Sequence, residues 1–169
     1  MVDIVSCGAL QLQCTMTKFP RAPRRLDLIF PRNPLYFVTC CTYRRPPHLA
    51  TDQFHAAFVT FAQRAQADFG IAAGRYVILP DHVHFFVTLP SDVKLGDWVG
   101  TLKRALARTV EGNSQDPLWQ RGFFDHVLRS NESYSEKWNY VRENPLRAGL
   151  VTNTGDWQYT GEIVDIYYD

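Results

Sequence analysis

The chain has 169 residues, 46% of them hydrophobic and 21% charged, with a formal net charge of +1. This length and balance suit one globular domain with a real hydrophobic core, and they exclude a disordered acidic or basic arm for the chain as a whole. With so little net charge, any nucleic-acid binding must come from a local patch and not from a global field.

Residues 1–33 carry no sustained periodicity. They hold Pro20, Pro23 and Pro31 and a basic cluster of Lys18, Arg21, Arg24 and Arg25, which reads as an N-terminal arm, either solvated or touching phosphate. Met16 offers an alternative natural start. No basic n-region leads into a long apolar core with a cleavage motif, and no later stretch has the apolar length of a membrane span, so the cytoplasm is the default location. Cys7, Cys14, Cys40 and Cys41 lack zinc spacing; adjacent Cys40 and Cys41 in a strand face opposite sides, as ordinary thiols of a reducing compartment.

Leu35 to Tyr43 predicts a strand, closed by Arg44-Arg45-Pro46-Pro47. Thr51 is placed to cap a helix whose Phe54, Phe58, Phe61, Ala65 and Phe69 recur at helical spacing until Gly70 stops it. From Arg75 to Pro90, two β-rich arms flank a tight Pro80-Asp81 connection. In the second arm His82, His84, Phe86 and Thr88 point one way, and Val83, Phe85, Val87 and Leu89 the other. Two neighbouring imidazoles suit one divalent metal that draws further ligands from elsewhere; the other reading is a pair of partly buried structural histidines with backbone partners.

Val99, Leu102, Leu106 and Val110 mark a second amphipathic helix, with Lys103, Arg104 and Arg108 outward, for solubility or for an anion lying nearby. The passage from Trp119 to Arg129 is aromatic and basic and accommodates an irregular strand. Trp119, Phe123 and Phe124 are core candidates there; Arg121, His126 and Arg129 are candidate phosphate contacts. A last helix opens near Asn131 or Ser133, where Ser133 and Glu136 have capping-box spacing. Its apolar stripe is Tyr134, Trp138 and Val141, whereas Glu136, Tyr140 and Asn144 form a separate polar stripe. Tyr140 is thereby aimed away from the core, as a hydrogen-bonding residue or as a nucleophile. Pro145 ends the helix near Asn144, and Ile163 to Tyr168 is a candidate terminal strand. The order of elements predicts an α+β two-layer architecture, an antiparallel sheet with helices on one face and the opposite face open to a ligand.

Asp81-His82-Val83-His84-Phe85 resembles the histidine-hydrophobic-histidine motif of the HUH nucleases. The segment Trp138-Asn139-Tyr140-Val141-Arg142-Glu143-Asn144-Pro145, continuing to Leu150, resembles the tyrosine segment of the REP-associated tyrosine transposases. Tyr36-Phe37-Val38-Thr39 and the passage from Trp119 to His126 are similar to the same family, and the order and spacing of these motifs from Pro34 to Val151 make the resemblance specific.

The resemblance implies a ferredoxin-like catalytic domain over residues 34–151, flanked by the arm at 1–33 and a C-terminal extension at 152–169. It implies single-stranded or hairpin DNA from repetitive extragenic palindromes as the partner, bound by a monomer or a homodimer. Magnesium or manganese would be held by His82, His84 and Asn144, and Tyr140 would form a transient 5′-phosphotyrosine link with release of a 3′-hydroxyl. Some relatives use glutamine where Asn144 stands, and an amide oxygen serves either way. DNA contacts then fall to Arg24, Arg25, Lys103, Arg104, Arg108, Arg121, His126 and Arg129. Two other classes remain open: a non-catalytic hairpin-DNA-binding module derived from a transposase, and a metal-dependent hydrolase of small phosphoesters with a deep pocket.

Overall fold

A computed structural model describes residues 34–110, 116–128 and 131–166, with only the backbone described at 131–133. In chain order the elements are β1 (Leu35–Cys41), α1 (Asp52–Phe69), β2 (Ala72–Leu79), β3 (His82–Thr88), α2 (Leu95–Ala107), β4 (Phe124–Leu128), α3 (Asn131–Arg142), α4 (Asn144–Arg147) and β5 (Thr160–Glu162).

Local chemistry sets these boundaries. The Thr51 hydroxyl accepts from the Phe54 amide at 3.2 Å and starts α1; Gly70 ends it at φ +66°, a left-handed conformation that costs glycine little. β1 gives way to a turn in which two consecutive arginines, Arg44 and Arg45, hold φ of 60° and 64°. Neither is a residue type that favours this region, and each such departure costs on the order of 1–3 kcal/mol.

The sheet runs β4-β1-β3-β2-β5 with every neighbouring pair antiparallel. β3 lies between β1 and β2, the split arrangement of a βαββαβ ferredoxin-like chain. On one face α1 and α2 deliver Phe54, Phe58, Leu102 and Leu106 against Val83, Phe85 and Val87. Each fully buried side chain of this size contributes roughly 1.5–3 kcal/mol by leaving water.

The antiparallel α+β sandwich is as expected, and α1 and α2 share a face as expected. α3 does not join them. It crosses the histidine-bearing face, where Tyr134 and Val141 pack on Leu35, Phe37, Val77 and Phe86, and the Tyr134 ring meets Phe86 edge-on at 4.8 Å. The physical reason is that this face carries imidazoles only at one end of β3; the rest of it is apolar and needs cover. What stays open is the end near His82 and His84.

Two boundaries differ from expectation. The terminal strand is Thr160–Glu162, paired with β2 from Arg75↔Glu162 to Val77↔Thr160, just ahead of the predicted Ile163–Tyr168. After it Ile163 and Val164 still donate backbone N–H groups to the Gly74 and Ala73 carbonyls of β2, at 3.3 and 3.1 Å, and Ile166 is buried against Gly74, where a Cβ would come within 2.8 Å of its Cδ1. Tyr168 lies outside the described residues. α3 stops at Arg142, earlier than expected, because Pro145 needs the first turn of a new helix; Glu143 caps α4, and Asn144 no longer continues the stripe of Glu136 and Tyr140. The Ser133 capping contact lies outside the described side chains. No described helix is long and apolar enough to cross a membrane.

Candidate active site

Register places the two histidines in the middle of the sheet. His82 stands opposite Cys41 of β1 and Leu79 of β2; His84 stands opposite Thr39 and Val77. The Asp81 carboxylate lies 2.6 Å from His82 Nδ1. A carboxylate can only accept, so Nδ1 carries a proton, and in the neutral ring the lone pair is on Nε2. Arg45 Nε donates to the other oxygen of Asp81 at 2.7 Å. Burial alone would raise the Asp81 pKa, but the hydrogen bond and charge of His82, with Arg45, outweigh it and hold the carboxyl below its ordinary range.

His84 is fixed differently. Its Nδ1 lies 2.8 Å from the Thr39 hydroxyl, and its ring stacks on Phe37 with centroids 5.4 Å apart. The two imidazoles sit edge to face, 4.7 Å apart at 85°. Burial pushes the His84 pKa well below its ordinary value, and the positive charges of His82, Arg45, Lys137 and Arg147 push it further. His84 is thus neutral at physiological pH, the form that binds metal. Both Nδ1 atoms meet side chains, so the reading of two histidines held by backbone partners does not describe them.

This has a pH consequence. A histidine with a lowered folded pKa is protonated more readily in the unfolded chain, so stability falls as pH drops below about 6.5. His55, lowered by burial despite the opposing Asp52, acts in the same direction. The melting temperature of the metal-free protein is expected to fall between pH 7 and 5, and to fall less in His84→Gln, measured by circular dichroism.

Tyr140 is 51% exposed, whereas Tyr134 is 3% exposed with its hydroxyl pushed up to about 12 by burial. One turn before Tyr140, Lys137 sits over the Phe37 ring at 5.4 Å, the same ring that stacks on His84. Arg147 lies 4.2 Å over the Tyr140 ring, donates to the Tyr140 carbonyl and to Asn144 Oδ1, and pairs with Glu143 at 3.1 Å. Through the Phe37 ring, this flank of α3 meets the histidine row. Asn144, the first residue of α4, has its amide oxygen engaged by Arg147. Two imidazole nitrogens and one amide oxygen suit a divalent cation that completes its shell with water and phosphate oxygens. Among the described residues no group of three or more His, Cys, Asp or Glu forms a fuller cage.

The basic residues divide. Lys103 donates to the carbonyls of Gln120 and Gly122, both at 2.7 Å, and lies 5.8 Å over Trp119. Burial lowers its pKa. Its ammonium is spent on holding the loop before β4, which corrects its expected role as an outward DNA contact. Hydrogen bonds to a charged group are worth about 1.5–3 kcal/mol, so Lys103→Ala is expected to lose about 2 kcal/mol in urea unfolding without changing the salt slope of DNA binding. Arg104 and Arg108 are exposed on α2, on the side of the sheet away from the histidines. Arg121 is exposed in the loop, and His126 is exposed on β4 opposite Phe37, hence on the histidine face. Arg24, Arg25 and Arg129 lie outside the described residues.

Trp119 is core and Phe123 packs against it, as expected. Phe124 is not core: it is 50% exposed, opposite Thr39 and in the same cross-strand row as His84. Thr39, Arg45, Asp81, Lys137 and Arg147 were missed as site residues. Asp81 had a local signal in its adjacency to His82; the others depend on register or on a turn conformation that no periodicity encodes.

Comparison with known proteins gives the family and agrees with the fold. Residues 34–144 match the family model described as "Transposase IS200 like". The REP-associated tyrosine transposase of Escherichia coli is 24% identical over 129 residues, covering 74% of each chain. A Haemophilus influenzae protein assigned to the same group is 24% identical over 143 residues, covering 78% of this chain and 81% of its own. The structure of a REP-associated tyrosine transposase bound to a REP hairpin superposes with a TM-score of 0.66 at 20% identity, covering 90% of this chain and 96% of that one, and shows the same fold. With its family pattern spanning β1 to the first residue of α4, this chain belongs to the IS200-like transposases.

Proposed function

We propose that this transposase cleaves single-stranded DNA beside a hairpin of the repetitive extragenic palindromic type and transfers the strand through a 5′-phosphotyrosine at Tyr140, with magnesium or manganese held by His82, His84 and Asn144. One observation carries this reading: two imidazoles with Nδ1 engaged by Asp81 and Thr39 lie on the sheet face crossed by α3, the helix that carries the exposed, Arg147-stacked Tyr140. The hairpin bound by the structurally similar transposase supports the choice of DNA.

A bound ion would polarise a non-bridging phosphate oxygen and offset the charge that grows during attack. Tyr140 Oη forms a bond to phosphorus while the bond from phosphorus to the 3′-oxygen breaks; the phenolic proton goes to solvent and the departing 3′-oxygen takes one up. Arg147 holds the ring from one face and places a fixed cation beside the forming phenolate. A second 3′-hydroxyl attacking the phosphotyrosine reverses these bonds and joins strands, whereas water would give cleavage alone. Asn144 joins the ion only by exchanging its hydrogen bond to Arg147.

Arg121, His126 and the half-exposed Phe124 provide phosphate and stacking contacts next to the site, Arg24, Arg25 and Arg129 add further phosphate contacts, and Arg104 and Arg108 meet only DNA that wraps to the other face. Cys40 and Cys41, neither of them in a disulfide, suit a cytoplasmic enzyme, acting as a monomer or homodimer. Affinity for a folded hairpin and for a scrambled single strand, compared over a salt series, tests the substrate assignment. The hairpin is expected to bind at least about tenfold more tightly at every salt concentration, a margin typical of structured recognition above the electrostatic background. Equal affinity throughout would remove structured DNA as the substrate.

A further inference from the structure

The turn that follows β1 is fastened to the connection between β2 and β3. The Thr42 amide donates to the Asp81 carbonyl at 2.9 Å, the buried Thr42 hydroxyl lies 3.0 Å from the same oxygen, and the Leu49 amide donates to the Pro80 carbonyl at 2.8 Å. Between these anchors stand the two left-handed arginines. Arg44 turns outward to an exposed pair with Asp116 at 3.1 Å, which contributes little to stability. Arg45 turns inward: its Nε lies 2.7 Å from Asp81 Oδ2 and its terminal NH2 group 3.4 Å from His82 Nδ1.

Two unfavourable terms meet at Arg45. Its backbone sits where a non-glycine residue is strained. Its guanidinium also stands beside imidazoles suited to a divalent cation, and like charges oppose one another. The ion pair with Asp81 is half in solvent and offsets neither by much. An anion shared by both positive groups would offset both. His82 Nδ1 already directs a proton at Asp81 and so cannot accept from the Arg45 NH2 group beside it; that donor remains for a ligand.

We propose that Arg45 is a catalytic residue of strand cleavage, donating from its terminal nitrogens to the departing 3′-oxygen; the assignment rests on the phosphotyrosine reading above. The order of rows along β1 sets this role. α3, which carries Tyr140, packs over Leu35 and Phe37; Thr39 opposite His84 comes next, then Cys41 opposite His82, and Arg45 lies beyond them. A phosphate at the two imidazoles is thus approached from the α3 end and departed from toward Arg45, the in-line order that displacement at phosphorus requires. As the bond from Tyr140 Oη to phosphorus forms, the bond from phosphorus to the 3′-oxygen breaks and its electron pair stays on that oxygen. Arg45 stabilises the charge through hydrogen bonds and keeps its own protons, as a guanidinium does; water protonates the 3′-oxygen.

The test compares DNA carrying oxygen or sulfur at the bridging 3′ position of the scissile phosphate, both with manganese. A thiolate is a far weaker base than an alkoxide and leaves without a stabilising cation. Arg45→Ala is expected to slow cleavage of the oxygen DNA about 10²- to 10³-fold, the loss typical of one charge-stabilising donor, and that of the sulfur DNA less than about fivefold. Calorimetric titration with manganese should give an affinity within about threefold of wild type, because Asp81 still holds His82. Arg45→Gly should repeat the kinetic result with a melting temperature no lower than wild type, since glycine relieves the left-handed backbone. Arg44→Gly should cleave both DNAs as wild type does. If Arg45→Ala fails to fold by circular dichroism, Arg45→Gly and Arg45→Lys carry the same comparison. An equal loss on both DNAs, or a manganese affinity lowered about tenfold or more, makes Arg45 a support for His82 and overturns its catalytic role. So does a loss in Arg44→Gly as large as in Arg45→Gly, or full cleavage of the oxygen DNA by the folded Arg45 variants. A wild type that cleaves neither DNA overturns the phosphotyrosine reading and this assignment with it.

Discussion

Tyr140→Phe is expected to abolish the denaturant-resistant protein–DNA adduct and to lower strand cleavage by a factor on the order of 10⁴ or more, as loss of an attacking atom does in other enzymes that use a covalent intermediate. Folding and hairpin affinity should hardly change. The ring is half in solvent, its stacking with Arg147 survives in phenylalanine, and only an exposed hydroxyl is removed. Tyr134→Phe is the matched control, because its hydroxyl is buried under α3 and raised to about 12, far from a nucleophile's range. The three proteins are incubated with labelled hairpin-bearing single-stranded DNA and magnesium or manganese, denatured and resolved, and the modified peptide is mapped by mass. An adduct undiminished in Tyr140→Phe, or mapped to another residue, sinks the assignment. Cleavage by wild type without any adduct would point to water as the nucleophile.

His84→Ala, and separately His82→Ala, should remove metal-dependent cleavage by at least about a hundredfold while leaving most DNA affinity, since phosphate contacts spread well beyond the ion. Calorimetric titration with manganese should show the loss directly, in the absence of DNA. Asp81→Asn gives the graded case. An amide can no longer serve as the charged partner of both the His82 Nδ1–H and Arg45, and weakening such an orienting contact lowers metal affinity about 10- to 100-fold. Either histidine variant that cleaves like wild type is thereby removed from the metal site.

Much of the fold could be read from the chain because its signals are local. Thr51 and Gly70 bracket α1, the Pro80-Asp81 turn separates arms of alternating residues, and Tyr134 and Val141 mark the buried side of α3. The pairing of His82 with His84 on one face follows from strand periodicity alone. What could not be read depends on neighbours distant in sequence. Thr39 meets His84 only because β1 and β3 pair in one register, and Lys103 looks like any outward lysine until the loop carrying Gln120 and Gly122 folds back onto it. Phe124 has a core residue's composition but lies on an edge strand, on the half of the face that α3 leaves uncovered. Helices on one face were expected from the order of elements; Phe37, Val77 and Phe86 make the second face apolar as well, which that order does not encode.

The placement of α3 has a consequence for how the chain folds. β1, α1, β2 and β3 are contiguous, so Asp81, His82, His84 and Thr39 can assemble once residues 35–88 have left the ribosome. β4 must pair with β1 across the separation from Leu35 to Leu128, and such distant closures come late and slowly. Until α3 follows, Phe37, Val77 and Phe86 face water, and the free edge of β1 is a template for a second chain. The helix that brings Tyr140 therefore also acts as the lid that ends a sticky interval in synthesis. Lesions in its buried stripe, such as Val141→Asp, should appear first as insoluble protein in the cell.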